Sequence, residues 1–344
     1  MVRFGLVGYG FGGRYFHAPL IASGAGTRLV GVVTRSPERR AEVAAEHPGV
    51  PVVYTVEDLV ALGVDAVAVS TPAGTHSAVT DELLRRGVPV VCDKPFALDA
   101  DAARCTVELA ERDGVLLSPY QNRRWDSDLL TVRRLLDEGR LGELRRVESA
   151  FERWAPDPAP PAAGGGLLRD FGSHLVDQAL FLFGPVDRVY AETHEVADEA
   201  EDDVRVLLQH ASGVRSQLSG AWRQSAPGPR FRVSGSEATF VLTAPMDGQE
   251  AALIAGRTPA TEGDGWGREP EDAWGTLHVG GEREVVPSER GRWDRYYASF
   301  ADAVRGRGPV PVDPWDAVAT AEVIDAARRS AASGQTVDVP AVRL

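Results

Sequence analysis

The amino-acid sequence predicts an α/β protein: an N-terminal doubly wound parallel sheet, then a C-terminal α+β region with a large open, mostly antiparallel sheet. From residue 1 to about 119, short apolar runs alternate with amphipathic helical patterns, as in a parallel sheet covered by helices. After residue 120, alternating strand patterns follow one another without helices between them. At 344 residues the chain is also too long for one ordinary core. We expect domains at 1–120 and 121–344, with closing helices that pack back on the first.

The composition indicates a soluble globular protein. The net charge of −13 argues against a nucleic-acid partner, and no apolar run is long enough for a membrane helix. The first residues already read as strand, so no signal peptide is predicted. Two cysteines, Cys92 and Cys105, are too few for a disulfide framework and suit a reducing cytoplasm. We expect a cytoplasmic protein.

The first region is predicted to hold six strands. They are expected at Phe4–Val7, Arg28–Val33, Pro51–Tyr54, Ala66–Ser70, Val88–Cys92 and Val115–Ser118. Helix-start signals stand between them: Ser36-Pro37 before a helix to about Glu46, Thr55 before a short one, and Asp99 before one to about Arg112. The alternation is typical of a parallel doubly wound sheet.

A glycine motif follows the first strand directly. Gly8-Tyr9-Gly10-Phe11-Gly12-Gly13 satisfies G-x-G-x-x-G through Gly8, Gly10 and Gly13. These glycines allow a tight turn, close approach of a pyrophosphate, and close packing of a helix on a strand. The helix that opens near Gly13 would direct free N–H groups at the phosphates. The motif predicts a dinucleotide site in a Rossmann domain.

The end of the second strand suggests the cofactor preference. An acidic residue there would bind the ribose hydroxyls of NAD. This chain has Thr34-Arg35-Ser36 instead, and a guanidinium with hydroxyls suits a 2′-phosphate. The alternative is that Arg35 is a solvated loop charge. We expect NADP(H) to be preferred and NAD(H) to remain possible.

The second region begins with a helix and continues mainly as strands. Helices are expected at Asp126–Glu138, Leu167–Phe183, Trp293–Arg305 and Trp315–Ala332. Strands are expected at Val147–Trp154, Arg188–Val196, Val204–His210, Gly213–Trp222, Arg230–Val233 and Thr239–Leu242. Residues 155–166 read as a loop, and 244–285 as irregular structure because they are Gly-rich with weak periodicity.

Lys94 is the single lysine among 37 basic residues. It follows a predicted strand, at the edge where open α/β sheets bind ligands, and Pro95 would restrict its backbone. A lysine in such a cleft can exchange a proton with a substrate oxygen, which an arginine cannot do. The alternative is a surface lysine retained by accident.

Asp170 and His174 stand four residues apart, on one face of a predicted helix. Histidine can accept a hydroxyl proton near neutral pH, and a neighbouring carboxylate can bind that hydroxyl or orient the ring. An ordinary solvated i,i+4 pair is the competing interpretation. No cysteine or second histidine stands nearby at ligand spacing, so no metal site is predicted.

A polar and aromatic cluster lies where the two regions meet. It contains Tyr120, Asn122, Arg123 and Trp125, and it could line a cleft for a polyol. Equally, Trp125 could be a core residue, with Arg123 and Arg124 in ion pairs between domains.

Together these motifs resemble the Gfo/Idh/MocA family of nicotinamide-dependent oxidoreductases. The matching segments are the glycine motif, T-P-A-G-T-H at 71–76, D-K-P at 93–95 and G-x-x-x-D-x-G-x-H-x-x-D from Gly166 to Asp177. F-H-A-P-L at 16–20 and N-R-R-W-D-S-D at 122–128 are most similar to a branch that contains NADP-dependent scyllo-inositol dehydrogenases. Asp93 departs from the family's usual E-K-P motif.

The resemblance implies a function and assigns residues to it. Lys94, Asp170 and His174 match the family's catalytic residues, and Thr71, Pro72, His76 and Lys94 fall in segments that meet the cofactor. The implied reaction is hydride transfer between NADP(H) and a secondary alcohol or ketone of a cyclitol or sugar. Alternatives are a regulatory protein that binds NADP(H) without turnover, and an enzyme that recycles tightly bound NAD. The exact substrate and the reaction direction stay open.

We also expect a homodimer or homotetramer. The predicted strands from Arg188 to Leu242 have too few helices to cover both faces of their sheet. A helix-free face of that size would be protected by a second subunit.

Overall fold

A computed structural model describes residues 1–155, 166–196, 200–246 and 248–342. Its strands are β1 Val2–Val7, β2 Thr27–Val33, β3 Val52–Val53, β4 Ala66–Val69, β5 Val90–Cys92, β6 Leu117–Pro119, β7 Leu144–Glu152, β8 Val186–Val196, β9 Ala200–His210, β10 Arg215–Ala221, β11 Phe231–Gly235, β12 Thr239–Leu242, β13 Gly275–Val279, β14 Glu282–Val286 and β15 Val337–Asp338. Its α-helices are α1 Ala18–Ser23, α2 Pro37–Glu46, α3 Val56–Ala61, α4 His76–Arg85, α5 Ala100–Asp113, α6 Ser127–Asp137, α7 Gly166–Phe183, α8 Gln249–Ile254, α9 Pro259–Glu262, α10 Asp294–Val304 and α11 Pro314–Ser333.

The first six strands form one parallel sheet in the order β3-β2-β1-β4-β5-β6. This is the doubly wound order, and the strand sequence reverses between β1 and β4. The predicted helix starts are present as caps: Ser36 accepts from the Arg39 N–H, Thr55 from Asp58 and Asp99 from Ala102. The predicted fold class of this region is confirmed.

The other nine strands form a mixed, mostly antiparallel sheet in the order β14-β13-β12-β11-β7-β10-β9-β8-β15. Only β7 and β10 among these described strands run parallel. Val189, Val147 and Phe240 lie on the buried face of this sheet, against apolar side chains of α7 and α11. The predicted α+β class of the second region is therefore also confirmed.

The structure corrects the expectation of irregular structure over 244–285. This segment contains α8, α9, β13 and most of β14, and β13 and β14 pair as a hairpin. Gly280 and Gly281 form its tight turn with φ of 54° and 98°. Two adjacent positive-φ glycines between T-L-H-V and E-R-E-V-V are a typical hairpin signal. The predicted loop at 155–166 lies mostly outside the described residues.

Two closing helices pack on the first sheet. In α10, Tyr297 contacts Phe4 of β1 edge-to-face, with ring centroids 5.3 Å apart. The first turns of α11 bury Ala317 and Val318 in the core formed by β4, β5 and α5. The later turns of α11 bury Val323 and Ala327 against the second sheet, so one helix contributes to both cores. No described helix is long and apolar enough to cross a membrane.

Candidate active site

A groove of about 810 Å³ runs along the carboxyl ends of the central parallel strands. Its lining comes from the glycine loop after β1, Thr34 and Arg35 after β2, Ser70, Thr71 and Pro72 after β4, and Asp93 after β5. This is the crevice at which the strand order reverses, where doubly wound sheets bind dinucleotides. We call it the dinucleotide groove.

Each glycine of the motif is required for a different structural reason. Gly8 has φ of +99°, and a Cβ there would lie 2.3 Å from the Ser70 carbonyl oxygen. A Cβ on Gly13 would lie 2.2 Å from the Gly8 carbonyl oxygen, so Gly13 allows the helix to pack on β1. Gly10 and Gly12 line the groove, and Phe11 between them is 57% exposed. The bare backbone can approach a pyrophosphate closely, so the residues present fit a dinucleotide.

At the end of β2, Thr34, Arg35 and Arg39 line the groove. Ser36 does not, because its hydroxyl caps α2 by accepting from the Arg39 N–H and donates to Glu38. Glu57 and Glu82 also line the groove. Two of the three residues predicted here therefore line the groove, and Arg39, one turn further on, adds a second cation to it.

His76 is a predicted cofactor residue that does not line the groove, and the same holds for Gly13, Ser36 and Lys94. His76 is buried, and its ring nitrogens lie 2.8 Å from the Pro95 carbonyl oxygen and 2.7 Å from that of Thr71. The ring thus connects the loop that carries Thr71 and Pro72 to the segment that carries Lys94. We interpret His76 as a positioning residue.

Lys94 follows Asp93, which lines the groove, and meets Asp170 of α7. The Lys94 ammonium forms an ion pair with Asp170 Oδ1. The Lys94 side chain is 23% exposed and that of Asp170 36%, so both remain accessible from the cleft. The Lys94–Pro95 peptide bond is cis. The fold therefore joins a strand end of the first sheet to a helix that packs on the second.

Asp93 connects three of the segments around Lys94. Its Oδ1 accepts from the Lys94 backbone N–H at 2.8 Å, and its Oδ2 accepts from the Ser70 hydroxyl at 2.8 Å. His17 Nε2 lies 3.1 Å from the same Oδ2 and is completely buried. The interactions of Asp93 with His17 and Ser70 hold the pKa of this carboxyl well below its ordinary value, despite its burial. Sequence reasoning missed His17, whose environment depends on strand ends far apart in the chain.

His174 lies one turn after Asp170 on α7 and is buried. Its Nδ1 has no hydrogen-bond partner among the described residues. Burial lowers the pKa of the imidazole well below its ordinary value, and the positive charges of Lys94, Arg123 and Arg230 lower it further. The ring is therefore neutral at neutral pH and can accept a proton.

The side chains of the 120–125 cluster lie in two different environments, an aromatic core and a set of buried ion pairs. Tyr120 is 1% exposed and packs on His17 and Tyr296, and Trp125 packs edge-to-face on Tyr296. The structure corrects the expectation that these two line a polyol cleft, because α10 covers them with aromatic side chains. Asn122 is also buried.

The arginines of this cluster make buried ion pairs. Arg124 binds Asp177 through two hydrogen bonds and reaches Asp316 at the start of α11. Arg123 pairs with Asp126 and Glu250 and borders a second cavity, described below. Both arginines form ion pairs, but these partners all lie within 121–344, so the pairs do not join the two predicted domains.

Two family models cover most of the chain. Residues 2–121 match the NAD-binding Rossmann fold of an oxidoreductase family, and residues 129–241 match the GFO/IDH/MocA C-terminal domain. The chain is 31% identical to the scyllo-inositol 2-dehydrogenase (NADP(+)) IolW of Bacillus subtilis, over 98% of this chain and 95% of that protein. It is 30% identical to the inositol 2-dehydrogenase of Rhizobium meliloti, over 98% of this chain and 99% of the relative.

A solved structure extends this similarity to three dimensions. The crystal structure of YvaA from Bacillus subtilis superposes with a TM-score of 0.91 at 31% identity, over 99% of this chain and 100% of that one. The doubly wound first sheet, the open second sheet, and the near full-length relatives agree with the two family models. This chain is an oxidoreductase that belongs to the GFO/IDH/MocA family.

Proposed function

We propose that this protein is an NADP(H)-dependent dehydrogenase that acts on a secondary alcohol, or the corresponding ketone, of a cyclitol or sugar. One observation supports the proposal: the Lys94–Asp170 ion pair and the neutral His174 lie near one another, and Lys94 directly follows Asp93, which lines the dinucleotide groove. A positively charged donor, a carboxylate and a neutral base are what reversible removal of a hydroxyl proton requires.

The three side chains have complementary roles in this proposal. His174 accepts the hydroxyl proton, and Asp170 binds the substrate hydroxyl and holds the Lys94 ammonium in place. Lys94 stabilises the negative charge that develops on the substrate oxygen. A nicotinamide bound in the groove supplies the hydride acceptor or donor. Asp93 positions the Lys94 backbone through its hydrogen bond to that N–H.

The preference for NADP(H) rests on the end of β2. Arg35 and Arg39 both line the groove and are exposed, so they are free to approach a 2′-phosphate. The carboxylates of Glu57 and Glu82 lie in the same lining and could instead bind ribose hydroxyls. We favour NADP(H) because two guanidiniums line the groove close to the end of β2, Arg35 in the loop after the strand and Arg39 in the first turn of α2. The NADP dependence named for IolW agrees with this preference.

A substrate panel tests the proposal. Purified protein is mixed with NADP⁺ or NAD⁺ and a set of inositols, aldoses and sugar alcohols, and the appearance of reduced nicotinamide is followed by absorbance. The reverse direction is followed with keto-cyclitols, keto-sugars and NADPH. We expect stoichiometric cofactor turnover with at least one ring polyol and a higher kcat/KM with NADP(H). Binding of NADP(H) without turnover of any panel member would favour a regulatory protein.

A further inference from the structure

A second cavity of about 570 Å³ opens between β7, the residues before β11, and α8. Its volume lies within the range of small-ligand pockets. Phe151 forms part of its wall and stacks on Phe171, which follows Asp170, with ring centroids 3.7 Å apart. The Phe151 and His174 ring centroids are 6.4 Å apart. The cavity thus borders the residues proposed to act on the substrate.

Two of the three arginines in the cavity wall are engaged by the protein itself. Arg230 donates to Asp128 at 2.7 Å, to Ser149 and to Gln178. Arg123 pairs with Asp126 and Glu250. The charges of both arginines are therefore balanced by the protein, although the Nε of Arg123 is buried without a hydrogen-bond partner.

Arg153 is different. Its guanidinium lies over the rings of Trp222, Phe171 and Phe151, at 4.5, 4.7 and 5.2 Å from the centroids. Its Nε, like that of Arg123, is buried without a hydrogen-bond partner. Unlike Arg123 and Arg230, it forms no ion pair in the described part of the chain. Aromatic contacts orient the planar group and leave its N–H donors unused by the protein. Such a preoriented donor set fits a ligand with oxygen acceptors.

The acidic residues that line the cavity indicate the chemical class of its ligand. Glu152 and Glu250 line the same cavity, and Glu152 uses one carboxylate oxygen to accept from the Gly228 N–H. Glu250 is paired with Arg123, so the charge of Glu152 is the one that would repel a carboxylate or phosphate bound at Arg153. A hydroxyl both donates and accepts, so neighbouring hydroxyls can be matched by Arg153 and Glu152 together. The flat aromatic wall suits the face of a ring.

We infer that this cavity binds the part of the substrate remote from the reacting carbon, and that Arg153 is a specificity-determining residue that donates to hydroxyls of an uncharged ring polyol. This inference rests on the proposed function, since it places the substrate beside Lys94 and His174. It adds that cyclic polyols are preferred over short-chain alcohols and over sugar acids.

Arg153→Met and Arg153→Lys test the inference, with Arg145→Met as the matched control, because Arg145 is an exposed arginine on β7, the strand that ends directly before Arg153. Steady-state kinetics would use scyllo-inositol, myo-inositol, glucose and their monodeoxy analogues. We expect Arg153→Met to raise KM about tenfold or more while kcat changes much less, as for lost binding contacts. Arg153→Lys should not restore KM, because an ammonium lacks the planar donor set. Arg145→Met should match the parent protein.

The deoxy analogues separate a direct contact from a structural effect. If Arg153 donates to one hydroxyl, the analogue that lacks this hydroxyl should have a raised KM with the parent protein. Arg153→Met should then raise the KM of that analogue little further. Three outcomes would overturn the inference. They are an equal rise in KM for every analogue on going to Arg153→Met, an unchanged KM in Arg153→Met, and a preference for glucuronate over glucose.

Calorimetry keeps the test independent of turnover. If the parent protein oxidises no panel member, the NADP⁺-loaded protein is titrated with the same polyols. Polyol binding that is lost in Arg153→Met supports the cavity assignment even though the proposed reaction fails. Absent binding, or equal binding by both proteins, overturns it. Unchanged NADP⁺ affinity in Arg153→Met shows that the dinucleotide groove is intact.

Discussion

At the scale of single residues, the site depends on contacts between side chains that are distant in sequence. Lys94 and Asp170 are 76 positions apart and form an ion pair. Burial lowers the pKa of His174, and the charge of Lys94 lowers it further, because a second positive charge nearby disfavours the imidazolium. The same lysine can therefore stabilise a developing alkoxide and maintain the base that accepts the proton.

Lys94→Arg tests whether Lys94 acts as a compact donor. The variant keeps the positive charge, but the planar guanidinium cannot occupy the same position beside Asp170 or give up a proton. We expect turnover to fall by about two orders of magnitude or more, as for loss of a positioned proton-transfer or charge-stabilising group. NADP(H) affinity, measured by fluorescence titration, should change little, because the glycine loop holds the phosphates. Turnover within a few-fold of the parent protein would show that Lys94 is replaceable.

The pKa of His174 predicts the pH dependence of oxidation. The neutral ring accepts the proton, and because its pKa is lowered, it stays neutral as the pH falls through its ordinary value of 6.5. The acid limb of kcat/KM should therefore lie below that value. Histidine NMR, assigned with His174→Asn, should likewise show no titration of this ring between about pH 7.5 and 6.5. A midpoint near the ordinary value would contradict a buried, neutral base.

At the scale of elements, the ends of the parallel strands decide which side chains meet. Thr34 and Arg35 follow β2, Ser70 to Pro72 follow β4, and Asp93 and Lys94 follow β5. Parallel strands direct their carboxyl ends to one edge, so motifs read separately in the sequence become one groove. The helix starts are decided locally instead, as the Ser36 cap of α2 shows.

Arg35→Asp tests the role of the β2 end in cofactor choice. The substitution replaces a cation in the groove with a carboxylate that would repel a 2′-phosphate and bind ribose hydroxyls. A charge-assisted hydrogen bond contributes about 1.5–3 kcal/mol, so we expect the NADP(H)/NAD(H) ratio of kcat/KM to fall about tenfold or more. Arg28→Asp is the control, because Arg28 is exposed at the other end of the same strand. A parent protein that already prefers NAD(H) would refute the reading of this strand end.

At the scale of the whole molecule, the second sheet has two unlike faces. One row of cross-strand neighbours, Val189, Leu208, Ser216, Val147, Val233, Phe240 and Leu277, is buried. The alternate row, Tyr190, Leu207, Gln217, Glu148, Arg232, Val241, Thr276 and Val285, contains no buried residue. We call this second row the outer face. It mixes polar side chains with exposed Leu207 and Val285, which are 45% and 63% accessible.

We propose that the outer face forms the interface of a homodimer or homotetramer, because an open sheet with exposed apolar side chains favours a partner. Sedimentation velocity at micromolar concentration should show no monomer for the parent protein. Leu207→Asp should dissociate the assembly by placing a charge at the interface. Val279→Asp, at the tip of the β13–β14 hairpin, is the matched control on an exposed apolar residue. A parent protein that sediments only as a monomer would rule out this assembly.

Local patterns in the sequence determined much of this protein. The glycine motif, the capping residues Ser36, Thr55 and Asp99, and the change from βα alternation to successive strands predict both sheets, because these signals act within a few residues. The β13–β14 hairpin was missed although Gly280-Gly281 signals it. A domain boundary near residue 120 stays a proposal, and α11 contributes to the cores on both sides of it.

Which of the predicted site residues lie together depends on tertiary packing. The sequence singled out Lys94, Asp170 and His174 by residue type and spacing, but their proximity depends on how α7 and β5 are placed by two different sheets. Because of the same packing, His76 and Tyr120 are buried instead of lining the site. His17, Arg39 and Arg153 lie at or near it. The burial of a side chain, the charges near it and its pKa depend on segments that are distant in sequence and meet only in the folded protein. A local sequence pattern therefore cannot predict them.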